Sequence, residues 1–259
     1  MDCYKLLNLR LFIIYLLLST ATCNAQTNTT LPQTTDVGQE LSALKAWQAG
    51  HTVSVEAIRQ YGGIDHCFTS SPIPDEVWEK MQGQTYRPNN HISRDDLRHL
   101  HALHYDIDNR IYIGEMICNR RIADILVKIF RQLFDAKYPI HSMLLPETFG
   151  TDDETQMRAN NSSCFCYRTV SGSSSLSKHA QGLAIDINPL YNPYIKKRTN
   201  GTQIIQPSTA KPYSNRLQTF PYKIDTAYLA YRLFTQNGFL WGGNWKSLKD
   251  YQHFEWKGK

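Results

Sequence analysis

The sequence predicts an α+β fold, a small antiparallel sheet with flanking helices, and three observations carry that prediction. Residues 102–106 and 111–116 are strand-like runs on either side of the turn pair Asp108-Asn109. Ile122, Ile125, Leu126, Ile129, Phe130, Leu133 and Phe134 recur at three- and four-residue steps, the mark of an amphipathic helix that ends before Pro139. Two later strand-like runs, 183–187 and 251–256, do not alternate with helices in the regular way that a parallel sheet demands.

The elements follow in order. Lys5 and Arg10 precede the apolar run 11–18, and Ser19, Thr20, Ala21 and Thr22 come next. That is the charged, apolar and small-residue order of a secretory signal, with cleavage expected after Ala25. The run is too short to span a bilayer, which takes roughly 20 apolar residues. The chain is therefore expected to be exported, to the periplasm or cell envelope. Cys23 offers lipid attachment as a second option. Residues 26–40 are polar, Thr-rich and aperiodic, a tether. Helical signals run from 41 to 61, with Ser54 ahead of Val55, Ile58 and Tyr61, and Gly62-Gly63 stops them. Residues 41–84 read as an N-terminal helical extension and 85–259 as the main domain. Ser93 is expected to cap a helix from Arg94, with Asp95 and Asp96 at its positive end. Asp225 to Asn237 reads as a further helix, capped by Asp225 and closed by Gly238.

Composition excludes some functions. The net charge of +5 is mild, and Lys196-Lys197-Arg198 is a short basic run among scattered cations. A nucleic-acid binder shows a clustered basic face instead. No segment is long and apolar enough for a membrane span, and nothing in the sequence fixes an oligomeric state. Six cysteines are present, and Cys67, Cys118, Cys164 and Cys166 lie beyond the leader. Their spacing fits no zinc knuckle, and Cys164-Phe165-Cys166 is not a redox pair, so buried thiols with at most one bridge are expected.

Two stretches carry chemistry. The first is Ser177-Lys178-His179-Ala180-Gln181-Gly182-Leu183-Ala184-Ile185-Asp186. The second is Trp241-Gly242-Gly243-Asn244-Trp245, followed by Asp250-Tyr251-Gln252-His253-Phe254-Glu255. Two imidazoles and a carboxylate suit a zinc ion whose fourth position is left to water. The same residues also fit ordinary core or surface roles, because a histidine seven residues before an aspartate is no general metal spacing. His99, His101 and His104 also lie close together and read as a polar strand face.

The pattern Ser-x-His-x-x-Gly-x-Ala-x-Asp, with a later acidic residue three before a histidine, resembles the zinc D,D-peptidase family. That family includes VanX-type dipeptidases, VanY-type carboxypeptidases and phage L-alanyl-D-glutamate endopeptidases. The Trp-Gly-Gly-x-Trp run is similar to the VanY and endopeptidase branch. The resemblance extends upstream through Asp152-Asp153, Met157, Asn160-Asn161, Phe165 and Arg168, and so covers roughly residues 85–256. It implies the fold shared with the signalling domain of Hedgehog proteins. It implies one zinc ion held by His179, Asp186 and His253, with Asp250 as general base. It also implies that Arg168 polarises the scissile carbonyl, and that Ser177, Gln181 and Glu255 orient ligands or touch substrate. Asp250 stands where some members have Glu, so the shorter side chain must approach the water more closely. On one extended strand Asp250 and His253 would face opposite sides, while Glu255 would share a side with His253. The chain near 249–251 must therefore bend if Asp250 is the base; Glu255 is the alternative. The activity implied is hydrolysis of peptidoglycan stem peptides, by a D,D-carboxypeptidase or an L-Ala-D-Glu endopeptidase. A non-catalytic zinc module that binds cell wall or a protein partner, and a metallohydrolase of other peptides, are the competing readings.

Overall fold

The computed structural model describes residues 36–150, 152–169 and 175–258. The leader, its cleavage region, Cys23 and the tether as far as residue 35 lie outside them. The described residues begin inside the stretch expected to be a tether. Asp36 accepts a hydrogen bond from the Gly38 amide at 2.9 Å and caps α1, Val37–Lys45. The helical signals from 41 to 61 resolve into two helices rather than one. After α1 comes the short strand β1, Thr52–Val53, then α2, Val55–Tyr61. Ser54 caps α2 by accepting from the Ala57 amide, and Gly62 and Gly63, both at positive φ, end it. β2, Thr69–Ser71, and α3, Asp75–Met81, follow.

Residues 41–84 are therefore not only a helical extension, because β1 and β2 form the two edges of the largest sheet. Its order is β1-β4-β3-β2, with β3 at Leu97–Tyr105 and β4 at Ile111–Asn119, all neighbours antiparallel. The expected hairpin is present and longer than its sequence signature. Asp106 ties the turn, accepting from the amides of Asp108 and Arg110 at 2.9 Å each, and Asn109 takes the left-handed conformation at φ 59°. The helix expected from Arg94 is a single 3₁₀ turn. Ser93 and Asp96 form a reciprocal capping box, and Leu97 is already extended. The cap signal is real, but from Leu97 the chain is extended and pairs with β4 along its whole length.

Asn119 accepts from the Arg121 amide at 3.0 Å and starts α4, Arg120–Asp135. This is the expected amphipathic helix. Its Ile122, Leu126, Ile129, Phe130, Leu133 and Phe134 are buried in one core with Leu100, Met116 and Cys118 of the hairpin. Burying each such side chain contributes about 1.5–3 kcal/mol. α5 is Asp153–Arg158, β5 Ala184–Asp186, β6 Tyr194–Lys197 and β7 Gln203–Gln206. α6 is Leu229–Gln236, shorter than the run from Asp225. Asp225 accepts from the Ala227 amide to make a turn before the helix, and Tyr228 stands at its start. β8, Phe239–Trp241, β9, Lys249–Asp250, and β10, His253–Trp256, close the chain. They make two further antiparallel sheets, β5-β10-β8 and β7-β6-β9. Among the described residues no helix is long and apolar enough to cross a membrane. The four cysteines there are free thiols, and Cys67, Cys118 and Cys164 are buried.

Leu126 is fully buried in the main core. Leu126→Ala is expected to lower the free energy of unfolding by about 2–5 kcal/mol, measured by urea titration.

Candidate metal and catalytic centre

The pairing of β5 with β10 sets the site. Their register places His253 directly opposite Asp186, so the two side chains emerge side by side. A third side chain comes from the 3₁₀ turn His179–Gln181 just before β5. Ser177 holds that turn, its Oγ accepting from the Ala180 amide at 3.0 Å. Gly182 closes it at φ 64° and donates to the His179 carbonyl. A β-carbon on Gly182 would lie 2.7 Å from the Asn119 nitrogen, so glycine is required by both conformation and space. The close approach has a purpose. The Asn119 amide donates to the Gly182 carbonyl at 2.9 Å, and its side-chain amide donates to the Gln181 carbonyl at 2.9 Å. The end of β4 thus anchors the turn that carries His179.

The three side chains meet. His179 Nε2 lies 3.2 Å from Asp186 Oδ2 and 3.1 Å from His253 Nδ1, and His253 Nδ1 lies 3.1 Å from Asp186 Oδ1. Tetrahedral ligands about 2.0–2.1 Å from a zinc ion sit about 3.3–3.4 Å from one another. The outward nitrogens decide what faces inward. His179 Nδ1 is 2.7 Å from the Cys164 carbonyl, which can only accept, so Nδ1 carries the proton and Nε2 offers a lone pair. His253 Nε2 points to Glu255 Oε2 at 3.5 Å, leaving Nδ1 as its inward atom. A lone pair, a second imidazole nitrogen and a carboxylate converge, and only a cation or a proton reconciles them. Burial lowers the His253 imidazole, but the carboxylates of Asp186, Glu255 and Asp250 outweigh it and raise it to about 10. Burial pushes Asp186 up, yet the two imidazoles hold it well below the carboxylate range. A zinc-class cation fits this donor set and would displace the proton.

Asp250 lies in a different sheet from His253. β9 pairs with β6, opposite Tyr194, and the chain bends at Tyr251 and Gln252 before β10 begins. That bend supplies the change of direction that a single straight strand would deny. Gly242 permits it, since a β-carbon there would lie 2.6 Å from the Asp250 carbonyl oxygen. Asp250 Oδ1 is buried with no protein partner. Burial raises its carboxyl to about 6, against the pull of His253 and with the help of Asp186. Glu255 is held by His253, and that hydrogen bond lowers its carboxyl.

Arg168 ion-pairs with Asp153, its Nε 2.9 Å from Asp153 Oδ2. Its carbonyl accepts from the Ser177 amide at 3.1 Å, which ties it to the His179 turn. Asp153 was quoted in the sequence only as part of a resemblance. Burial raises its carboxyl, and the charges of Arg168, His179 and Asp186 all act on it. The role of Cys164 was not foreseen either, because a backbone carbonyl leaves no mark in a sequence. Gln181 touches the site region through its carbonyl. Of the aromatic residues near the second motif, Trp245 reaches the centre, its ring 5.2 Å from that of His253. Trp241 and Phe254 are core residues, and Tyr251 lies under the Arg216 guanidinium at 4.3 Å. A cavity of about 400 Å³ lined by His104, Asp106, Arg110, His141, Tyr191 and Tyr222 includes none of the converging residues.

Residues 171–256 match the family model described as D-alanyl-D-alanine carboxypeptidase. Over that segment the chain is similar to the zinc D,D-peptidase family, VanY type. The match spans about a third of the chain and contains all three converging residues and Asp250. No curated protein and no solved structure matched the chain significantly. Small antiparallel sheets with several helices agree with a D,D-peptidase fold.

Gly182→Ala is expected to destabilise the protein by more than about 1 kcal/mol, since alanine meets both a positive φ and a backbone clash. It should also reduce retained zinc, read by elemental analysis after dialysis. Unchanged stability and metal content would contradict the anchoring of the His179 turn.

Proposed function

We propose that the chain is an exported zinc peptidase that hydrolyses peptidoglycan stem peptides, with D-alanyl-D-alanine carboxypeptidase specificity. The fold proposed with it is the Hedgehog and D,D-peptidase kind. One observation carries the reading: inward-facing donor atoms of His179, Asp186 and His253, 3.1–3.2 Å apart, beside a buried carboxylate with a free oxygen. A histidine, histidine and aspartate set leaves a tetrahedral ion one open corner. Zinc held there would supply a water of pKa about 7 and an electrophile for the carbonyl.

The remaining steps belong to the protein. Asp250 accepts the proton of the attacking water and passes it to the leaving amine. Its unpartnered Oδ1 has no competing protein donor. Arg168 steadies the carbonyl oxygen as negative charge develops; its ion pair with Asp153 and its backbone tie to the His179 turn support that role. The Cys164 carbonyl and Glu255 fix the two rings, so neither has to reorient when metal binds. Trp245 shields one side of His253 from water.

The test is mass spectrometry of purified pentapeptide muropeptides after incubation with the zinc-loaded protein. Loss of the terminal D-alanine, abolished by chelator and restored by zinc, is expected. Products cut between L-Ala and D-Glu would move the specificity to the endopeptidase type, and an unchanged digest would refute a wall peptidase.

Asp250→Asn should keep zinc and lower turnover by about 10²–10⁴-fold, the usual contribution of a general base. Near-normal turnover would pass the role to Glu255. Only the ionised carboxylate accepts a proton, so turnover of the zinc-loaded protein should fall on acidification, with its midpoint below the value of about 6 that burial sets without metal, because a bound cation favours the ionised form. The stability sign is opposite. The folded pKa is raised, so this group's contribution is fully present below about 4 and lost as pH rises through about 6. Metal-free Asp250→Asn should therefore melt no lower than metal-free native protein at pH 8.

A further inference from the structure

The hairpin of β3 and β4 carries a second group of metal-ligating side chains that the proposed peptidase chemistry does not use. Alternation along β3 puts His99 and His101 on one face, while His104 falls on the other. His104 is buried separately, its Nδ1 2.8 Å from the Ile140 carbonyl. The three histidines thus do not form one polar face. Register sets Glu115 of β4 opposite His101, with Ile117 opposite His99. Glu115 is therefore the direct neighbour of one imidazole and the diagonal neighbour of the other. Its Oε2 lies 2.7 Å from His99 Nε2, and the two imidazole centroids are 4.4 Å apart with planes at 82°. A ring nitrogen from each histidine and a carboxylate oxygen all lie within 4.8 Å of one another.

Two features go beyond an ordinary ion pair. His99 is 4% exposed, yet its Nδ1 is buried without a hydrogen-bond partner, and so is His101 Nε2. Buried polar atoms are nearly always paired, so two orphaned nitrogens in one cluster require an explanation. The second feature is a brace. Trp47, just past α1, stacks on His101 with centroids 4.2 Å apart and planes at 6°. Its indole nitrogen donates to the Gly114 carbonyl at 3.1 Å, which fixes the ring against the sheet. A braced pair of imidazoles, His99 buried and His101 half-buried, beside one carboxylate is a donor set for zinc-class ions.

We propose that His99, His101 and Glu115 form a second cation site, sharing no residue with the first, that takes a divalent transition-metal ion. An ion held there cross-links the two central strands of the largest sheet.

The test is zinc content per full-length chain after chelator stripping, reloading and dialysis. Native protein is expected to hold two ions, His101→Gln one, and His179→Ala one. The His179→Ala figure also rests on the peptidase-site reading, and the variants separate the two. If native protein holds one ion, His101→Gln still holds one and His179→Ala none, the second site is overturned and the first stands. If His179→Ala matches native protein while His101→Gln loses an ion, the second site stands and the first fails. A misfolded His101→Gln is covered by a second measurement. Zinc should raise the Tm of His179→Ala, and Glu115→Gln added to that variant should remove the rise. No rise in His179→Ala overturns the proposal.

Discussion

The antiparallel pairing of β5 with β10 is the constraint on which the rest depends. It sets Asp186 and His253 opposite each other across 67 residues of chain. Side chains on a strand alternate, so a slip of one residue would send His253 to the other face and separate the pair. The register is held from both sides. Phe254, next to His253, is fully buried and stacks on Phe234 of α6 at 4.4 Å. Ile185, next to Asp186, is equally buried in the same core. Apolar residues facing inward thus force the polar residues between them to the opposite face, where they meet.

The larger sheet serves this pair at a distance. Phe165 donates to the Ile117 carbonyl of β4, and Ser163 exchanges backbone hydrogen bonds with Asp186 of β5. The segment between them includes Cys164, whose carbonyl fixes His179. Hydrophobic burial of α4 on the hairpin stabilises β4, and β4 holds both this segment and the Gly182 turn. An imidazole that must present one nitrogen inward is therefore controlled by backbone groups belonging to the main core. The same logic explains Asp250. It sits in another sheet, and the bend after it aims a carboxylate where a continuous strand would have turned it away.

The sequence made part of this legible. His179, Asp186, His253 and Asp250 were named from two motifs, and the need for a bend near Asp250 followed from strand geometry alone. The long helix and the hairpin turn were legible because their signals are local: a 3.6-residue period and an Asp-Asn pair. The errors came where two local signals competed. Ser93 and Asp96 make a true cap, but it closes one turn, and the pairing with β4 that starts at Leu97 defines a strand. Reading a helix there starts the hairpin strand at Ala102, while the three histidines read as one polar strand face. Once the strand begins at Leu97, parity alone separates His104 from the other two histidines. Asp225 misled in the same way, capping a turn and not the helix. The helix from Val37 starts inside the expected tether because Asp36, one polar residue in a polar run, caps it. Nothing local announces that β1 and β2 are the edges of the largest sheet, since each is two or three residues long. The Asp153 and Arg168 pair depends on a tertiary contact that no spacing encodes.

The most direct measurement is a crystal of the zinc-loaded protein with an anomalous difference map at the zinc edge. The account predicts a peak bound by His179 through Nε2, by His253 through Nδ1 and by an Asp186 oxygen, each at about 2.0–2.2 Å. A map with no peak among these three atoms, or with His253 turned so that Nε2 faces inward, would contradict it.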